Sequence, residues 1–275
     1  MKRRPAAAVA IYAAAATTGL FAVAPFAWMF LTSIKPDGEI FSRHPSLWTA
    51  SPQFGRYVDV LDGGFAIALR NSIIVATGTT VAGVAVAALA GYALARFDIP
   101  LRRYLLLMVM GVQMFPLVVL IIPLFVVMKA LGLLDSWVGL IVAYLSFTTP
   151  LAIWLLRSFF ETIPKELEEA AMSDGATRFG AMVRVIFPLA GPGLAATGIF
   201  SFIAAWNEFL FALTFLKTES LRTLPVALSA FVGQEQADWG AIMAGSVMFT
   251  IPVVIFFLAV HKRLTTGMVA GSVTG

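Results

Sequence analysis

Few side chains in this sequence are placed to do covalent chemistry. There is no cysteine, so disulfides and thiolate metal sites are excluded. The two histidines, His44 and His261, lie far apart in sequence and on opposite predicted sides, which argues against a histidine metal site. No nucleophile–base pair or carboxylate dyad occurs where an intramembrane reaction would need one. Neither a Walker A sequence nor any other phosphate-cradling loop is present, so hydrolysis of ATP is not expected of this chain. What remains is polar rather than reactive. Glu208, in the run Trp206-Asn207-Glu208, is the only carboxylate inside the predicted spans. A carboxylate at such a place costs roughly 2.5–3.5 kcal/mol to insert, so it must face protein or water. It reads equally as the polar wall of a solute path and as a helix–helix hydrogen bond or a group hydrated near the outer surface. Gln113 and Asn207 are the amides that would line the same path.

These residues have to be positioned by apolar helices. Of 275 residues 60% are hydrophobic and only 12% charged, with a mean hydropathy of +0.90. A soluble domain carries about 25% charged residues, so the composition is that of a polytopic membrane protein. The net charge of +4 fits basic loops on one membrane side, and no basic groove with stacking aromatics suggests nucleic acid. The apolar runs predict six transmembrane helices at about 9–31, 69–95, 104–128, 137–156, 191–216 and 241–260. The first is too long for a signal peptide and is read as uncleaved. Residues 32–67 form the longest outer loop, where Trp48 and Tyr57 suit the membrane interface. Residues 217–240 form another outer loop. Gly83, Ala87 and Gly91 recur every four residues in the second span, a spacing that lets two helices approach closely. Pro116 and Pro123 should bend the third span.

One polar interruption, about 158–190, keeps helical patterning. Pro164 opens it, and Glu166, Glu168 and Glu169 suit the positive end of a short helix. Leu167, Ala170 and Ala171 give that helix a thin apolar face. Gly175 provides the positive-φ stop. A second amphipathic helix follows, with Phe179, Met182, Val183 and Ile186 at i, i+3, i+4, i+7. The expectation is a helix–turn–helix outside the hydrocarbon.

The pattern Glu169-Ala170-Ala171, three residues, Gly175, nine residues, Val185 and Pro188 resembles the coupling loop of ABC importer permeases. Asp174 and Ala176 extend the likeness, with Val185 and Phe187 replacing the usual Ile and Leu. The opening Asn71-Ser72 of span two, its ending before Pro100, and the Trp206-Asn207-Glu208-Phe209-Leu210 run resemble the sugar-importer, maltose-type members. So does the tail Gly267-x-x-x-Gly271-x-Val273-x-Gly275, which in that family reaches the ATPase interface. Thr274 stands where Lys is common. The resemblance implies the type I permease fold over a single domain, 1–275, in the bacterial inner membrane. It also implies a second related permease, a pair of ATPase subunits holding ATP and Mg, and an extracytoplasmic solute-binding protein. This chain would bind no cofactor or metal. Glu169, Ala170, Ala171, Asp174, Gly175 and Pro188 would form the ATPase joint, and alternating access would carry a sugar.

Sidedness offers an independent test. Twelve of the 19 basic residues, among them Arg96, Arg102, Arg103, Arg157, Arg178 and Arg184, fall on the side holding both termini and the Glu169 segment. Lys and Arg favour the cytoplasm, so both termini and that segment are expected inside. A phosphorylated solute calls for cations along its path, and none is seen deep in the spans, which favours a neutral di- or oligosaccharide. The alternatives are a gradient-driven secondary transporter or channel, and a membrane scaffold that transports nothing. The gradient-driven class often needs several intramembrane ionisable groups and shows repeats, and neither is visible.

Overall fold

Helices follow wherever apolar runs are long enough to satisfy their own backbone groups in lipid. The computed structural model describes residues 5–44, 46–232 and 237–271, with side chains between 9 and 261. It contains α1 (Pro5–Ser33), α2 (Asp37–Ile40), α3 (Gly55–Val60), α4 (Ala66–Arg96), α5 (Arg102–Val112), α6 (Leu117–Ala130) and α7 (Trp137–Thr162). Then come α8 (Glu166–Ser173), α9 (Arg178–Ala181), α10 (Phe187–Leu189), α11 (Gly191–Trp206), α12 (Leu210–Phe215), α13 (Leu224–Val232) and α14 (Trp239–Gly271). No strand occurs among the described residues. Among the described residues four helical stretches are long and apolar enough to cross a membrane, or six if the bent pairs Arg102–Val112 with Leu117–Ala130 and Arg178–Leu189 with Gly191–Trp206 are each one span.

Several boundaries depart from expectation. The third span is broken: α5 and α6 meet at 98° across Gln113–Pro116. Pro116 cannot donate to the helix ladder and steers Phe115 away from helical φ/ψ. The fifth span also breaks, at Asn207–Phe209, between α11 and α12. The long loop before span two contains α2 and α3, and the second outer loop contains α13, whose sequence is almost wholly apolar. Arg70 lies within the predicted second span but sits over the Trp137 ring at 5.6 Å, a cation–π contact that accommodates its charge. Backbone helix continues to Gly271 where a glycine-rich tail was expected, and 272–275, with Val273, Thr274 and Gly275, lie outside the described residues.

The chain divides into two compact units. The first comprises Met1–Ala66 and Ala227–Ile251. Its polar centre is Arg56, which donates to Ser33 O at 3.0 Å, Lys35 O at 2.8 Å and Asp37 Oδ1 at 2.7 Å. Tyr57, expected at an interface, shares a 2.6 Å hydrogen bond with Ser33, whereas Trp48 is exposed.

The second comprises Ile67–Val226 and Pro252–Gly275 and contains the candidate site. Here α4 packs on α7 through the small-residue stripe. A Cβ added at Gly91 would lie 2.9 Å from the backbone N of Arg157 and 3.3 Å from Ile153 O. One at Gly83 would meet Leu145 at 3.2 Å. The buried pair Asn71-Ser72 secures the chain 150 residues on: Asn71 Nδ2 donates to Ser220 O and Arg222 O, and Ser72 Oγ accepts from Leu224 N. Asp135, at φ 54°, clasps the same region. Its carboxylate accepts from Lys217 N (2.8 Å), Thr218 N (2.9 Å) and Thr218 Oγ1 (2.5 Å).

Two outcomes test this packing. Gly91→Ala should destabilise by about 1–3 kcal/mol through backbone overpacking. Gly111→Ala, where nothing lies within 4 Å, should not, and detergent-phase thermal unfolding of the two variants distinguishes them. The hydroxyl of Thr218, then its amide, hold the Asp135 carboxyl below its usual range. A depressed carboxyl contributes stability above its ordinary pKa and loses it as pH falls through the depressed value. Amide exchange at Lys217 and Thr218 should therefore be slow at neutral pH and lose its protection only in strong acid. In Asp135→Asn it should be fast throughout, and pH-independent protection would refute the clasp.

Candidate functional site

The segment after α7 is a rigid two-helix element. Its first helix, α8, ends in a Schellman arrangement: Gly175 N donates to Met172 O and Ala176 N to Ala171 O, both at 3.0 Å. Gly175 has φ +91°, which a side chain would strain, although nothing else crowds it. Thr177 then caps α9, its hydroxyl accepting from Gly180 N at 3.1 Å. The turn from Met182 to Ile186 is wide, with Phe187 N reaching Met182 O. Pro188 explains it, because in a regular helix its ring would clash with the Arg184 carbonyl four residues back.

The three acidic residues at the start of α8 do not share a role. Glu166 and Glu169 are exposed, whereas Glu168 turns inward. It pairs with Arg96 at the end of α4, Nε to Oε2 at 3.1 Å, off the line of a hydrogen bond, and both side chains are only 5–6% exposed. The Tyr92 hydroxyl donates to the other Glu168 oxygen, and Arg96 also donates to Ile163 O at 2.9 Å. One buried group thus joins α4, the end of α7 and α8. Around it Tyr92, Leu156, Phe160, Met182 and Ile186 form a continuous core. Phe160 stacks on Phe187 at 5.8 Å, and Arg178 lies 5.0 Å over the Phe97 ring. Sequence reasoning missed Glu168, Arg96 and Tyr92. The signal was the i, i+4 polar pair Tyr92/Arg96 ending a span whose neighbouring helix is acidic.

The apolar face expected on the second helix is split between core and solvent. Met182 and Ile186 are buried, while Phe179 is 68% exposed and Val183 and Leu167 are also exposed. Ala170, Asp174, Gly175 and Pro188 are exposed and Ala171 half-buried. Predicted joint residues therefore sit on the open side of an element anchored from behind.

Farther along α7, one turn holds two of the three polar path candidates, Gln113 and Glu208. Tyr144 donates to Glu208 Oε2 at 2.6 Å. Glu208 also accepts from Phe211 N at 2.9 Å and Ala212 N at 3.1 Å, capping α12. This cap explains why the fifth span breaks without proline or glycine. Gln113, at the α5–α6 break, donates to Phe147 O at 2.6 Å, and Phe147 stacks on Phe211 at 5.8 Å. Glu208 is thus occupied by three intrachain donors. Asn207 is exposed and donates to Ile203 O at 2.9 Å, with no partner for its Oδ1 among the described residues. No cluster of His, Cys, Asp and Glu suited to a metal exists among the described residues.

A family model described as "Binding-protein-dependent transport system inner membrane component" matches residues 83–269. The sulfoquinovosyl glycerol transport system permease protein SmoH of Agrobacterium fabrum is 39% identical over 258 residues, covering 94% of this chain and 90% of that protein. The trehalose transport system permease protein SugB of Mycobacterium tuberculosis is 40% identical over 258 residues, covering 93% of each. A solved bacterial ABC transporter involved in the import of the acidic polysaccharide alginate matches with a TM-score of 0.79 and 26% identity, over 95% of this chain and 99% of that one.

The anchor makes a quantitative prediction. Arg96→Met leaves Glu168 buried without its countercharge and should cost about 3–5 kcal/mol. Adding Glu168→Leu should recover most of that. Thermal unfolding of both variants decides it, and equal losses in the single and double variants would show that the two charges do not act as a unit.

Proposed function

The chain belongs to the family of binding-protein-dependent transport system inner membrane components, and from that membership we propose that it is one of two related permeases in an ATP-driven importer of a neutral di- or oligosaccharide. Hydrolysis of ATP lies in separate ATPase subunits, which would hold ATP and Mg. The extracytoplasmic partner is a solute-binding protein. Residues 1–275 act as a single permease domain in the inner membrane. The concentration of Arg and Lys on the side of the Glu169 segment supports cytoplasmic termini.

The observation that carries this reading is the construction of the α8–α10 segment. Its back is locked to α4 and α7 by Glu168, Met182 and Ile186. Its front offers Glu169, Ala170, Gly175, Phe179 and Val183 to a partner. Small residues at 170, 171 and 175 let the partner approach the backbone. Exposed apolar side chains outside the hydrocarbon suit a protein partner. A displacement of that partner enters α7 near Phe160. About 15 residues along the same helix, roughly 20 Å, it reaches the turn that holds both broken spans. ATP moves the spans only by binding one state more tightly than the other.

Sugar relatives support a carbohydrate solute, trehalose among them by name. A neutral solute is favoured because Glu208 is the one charged side chain among Gln113, Asn207 and Glu208 and is occupied internally. Asn207, with a free carbonyl oxygen at a helix break, is the best candidate to meet sugar hydroxyls.

Purification of the tagged chain with its neighbours expressed tests both halves. Glu169→Lys, on an exposed site, should lower ATPase retention at least tenfold and abolish uptake. Asn207→Leu should leave the complex intact and raise the KM for uptake several-fold. A chain that purifies without an ATPase, identically in both forms, would overturn the reading.

A further inference from the structure

A second feature lies between α5 and α7, on the end of α7 that leads into the coupling segment. It is a cavity of about 560 Å3 whose lining includes Arg102, Arg103, Arg157, Trp154, Leu107 and Met110. We propose that it seats the headgroup of an anionic phospholipid of the surrounding leaflet, with the phosphodiester on the arginines and the upper acyl chain along α5.

Charge is the first ground. Glu161 Oε1 is shared by Arg102 and Arg157, the latter at 2.7 Å. Arg103 has no ion-pair partner among the described residues and is exposed. Three guanidinium groups thus line the cavity, and a single carboxylate is shared by two of them. Donor geometry is the second. The Nε atoms of Arg102 and Arg157 are buried without a hydrogen-bond acceptor, and one terminal nitrogen of each, Nη2, is engaged by Glu161. A guanidinium presents its donors in a planar fork that matches phosphate oxygens.

The walls select among anions. Beyond the arginines the lining turns apolar, and Leu107 and Trp154 are both exposed. An indole at the end of a span, one turn from an arginine, suits the headgroup level of a bilayer. A soluble phosphate would use the arginines but gain nothing from Leu107 and Met110. A neutral sugar would find no carboxylate or amide free to orient it. The combination of excess positive charge and an adjoining apolar wall is complementary to an acidic lipid.

The test uses the assembled transporter in nanodiscs of phosphatidylcholine with a minority of phosphatidylglycerol. Native mass spectrometry then counts retained lipid, a readout independent of transport, of sidedness and of which solute is carried. Wild type should retain phosphatidylglycerol about tenfold over phosphatidylcholine. Arg103→Gln, at a side chain with no ion-pair partner, should reduce that preference at least threefold with the subunit composition unchanged. Excess inorganic phosphate should not displace the lipid. Because the chain lacks cysteine, Leu107→Cys carries a single photo-crosslinker, which should label phospholipid. Equal retention by wild type and Arg103→Gln would overturn the proposal. Displacement by phosphate would do the same, assigning the cavity to a soluble anion. Cross-linking to the second permease instead of lipid would reassign it to the subunit interface.

Discussion

The buried contact between Arg96 and Glu168 is the constraint on which the rest of the second unit depends. Both charges leave water almost completely, at a cost of several kcal/mol each. Their mutual attraction, the Tyr92 hydroxyl and the Ile163 carbonyl offset that cost. Two apolar side chains of similar volume would serve stability as well or better. What they would not supply is direction. Apolar contacts tolerate sliding, whereas a carboxylate with a hydroxyl on one oxygen and a guanidinium on the other admits essentially one placement of α8. The pair therefore acts as a registration device, fixing how the α8–α10 segment meets α4 and α7.

The wide turn at Met182–Ile186 completes the same task by a different route. Phe179 and Val183 are four residues apart, as are Met182 and Ile186, so each pair forms a stripe. One stripe is exposed and the other lies in the core. A regular helix could display the same two stripes. The extra residue per turn also lets Pro188 follow without its ring striking the Arg184 carbonyl, so the chain can bend by 76° into α11. Pro188 thus acts through backbone geometry. Its exposure leaves room for a partner contact as well, but the bend alone accounts for its placement.

Much of this was legible in the sequence because the governing interactions are local. Apolar length placed helices in each predicted span, four of them continuous enough to cross a membrane, and the four-residue spacing of Gly83, Ala87 and Gly91 marked a helix contact that Gly91 makes backbone to backbone. The positive φ of Gly175 followed from its place after an acidic helix start. The failures share a cause, which is dependence on side chains distant in sequence. Nothing between Trp206 and Phe209 breaks a helix by propensity. Glu208 breaks it by capping α12 while Tyr144, 64 residues earlier, holds its other side. Likewise Glu166, Glu168 and Glu169 are equivalent as first-turn acids, and only the location of Arg96 decides which of them turns inward. The apolar content of α13 was readable, although 217–240 was expected to be a loop.

The two broken spans gain their meaning from α7. Gln113 and Glu208 belong to different helices, yet both are tied within one turn of α7, to Phe147 and Tyr144. A break in a membrane helix exposes backbone groups that lipid cannot satisfy, so it persists only where protein or a water-filled cavity accepts them. Two such breaks held to one turn therefore mark a place where polar groups are both needed and supplied. The turn is occupied on the inside, with Tyr144 fully buried and bonded to Glu208, which caps α12, while Asn207 stays exposed. The division of labour follows. Tyr144 and Glu208 hold the geometry, and Asn207 is left free to bond to something else. Pro150 lies in α7 between this turn and Phe160, and it removes one helical hydrogen bond from the rod that joins the two sites. A rod weakened at one point can bend there without unwinding at either end. That allows the joint and the breaks to shift relative to one another while each keeps its own contacts, which alternating access requires of a single helix serving both.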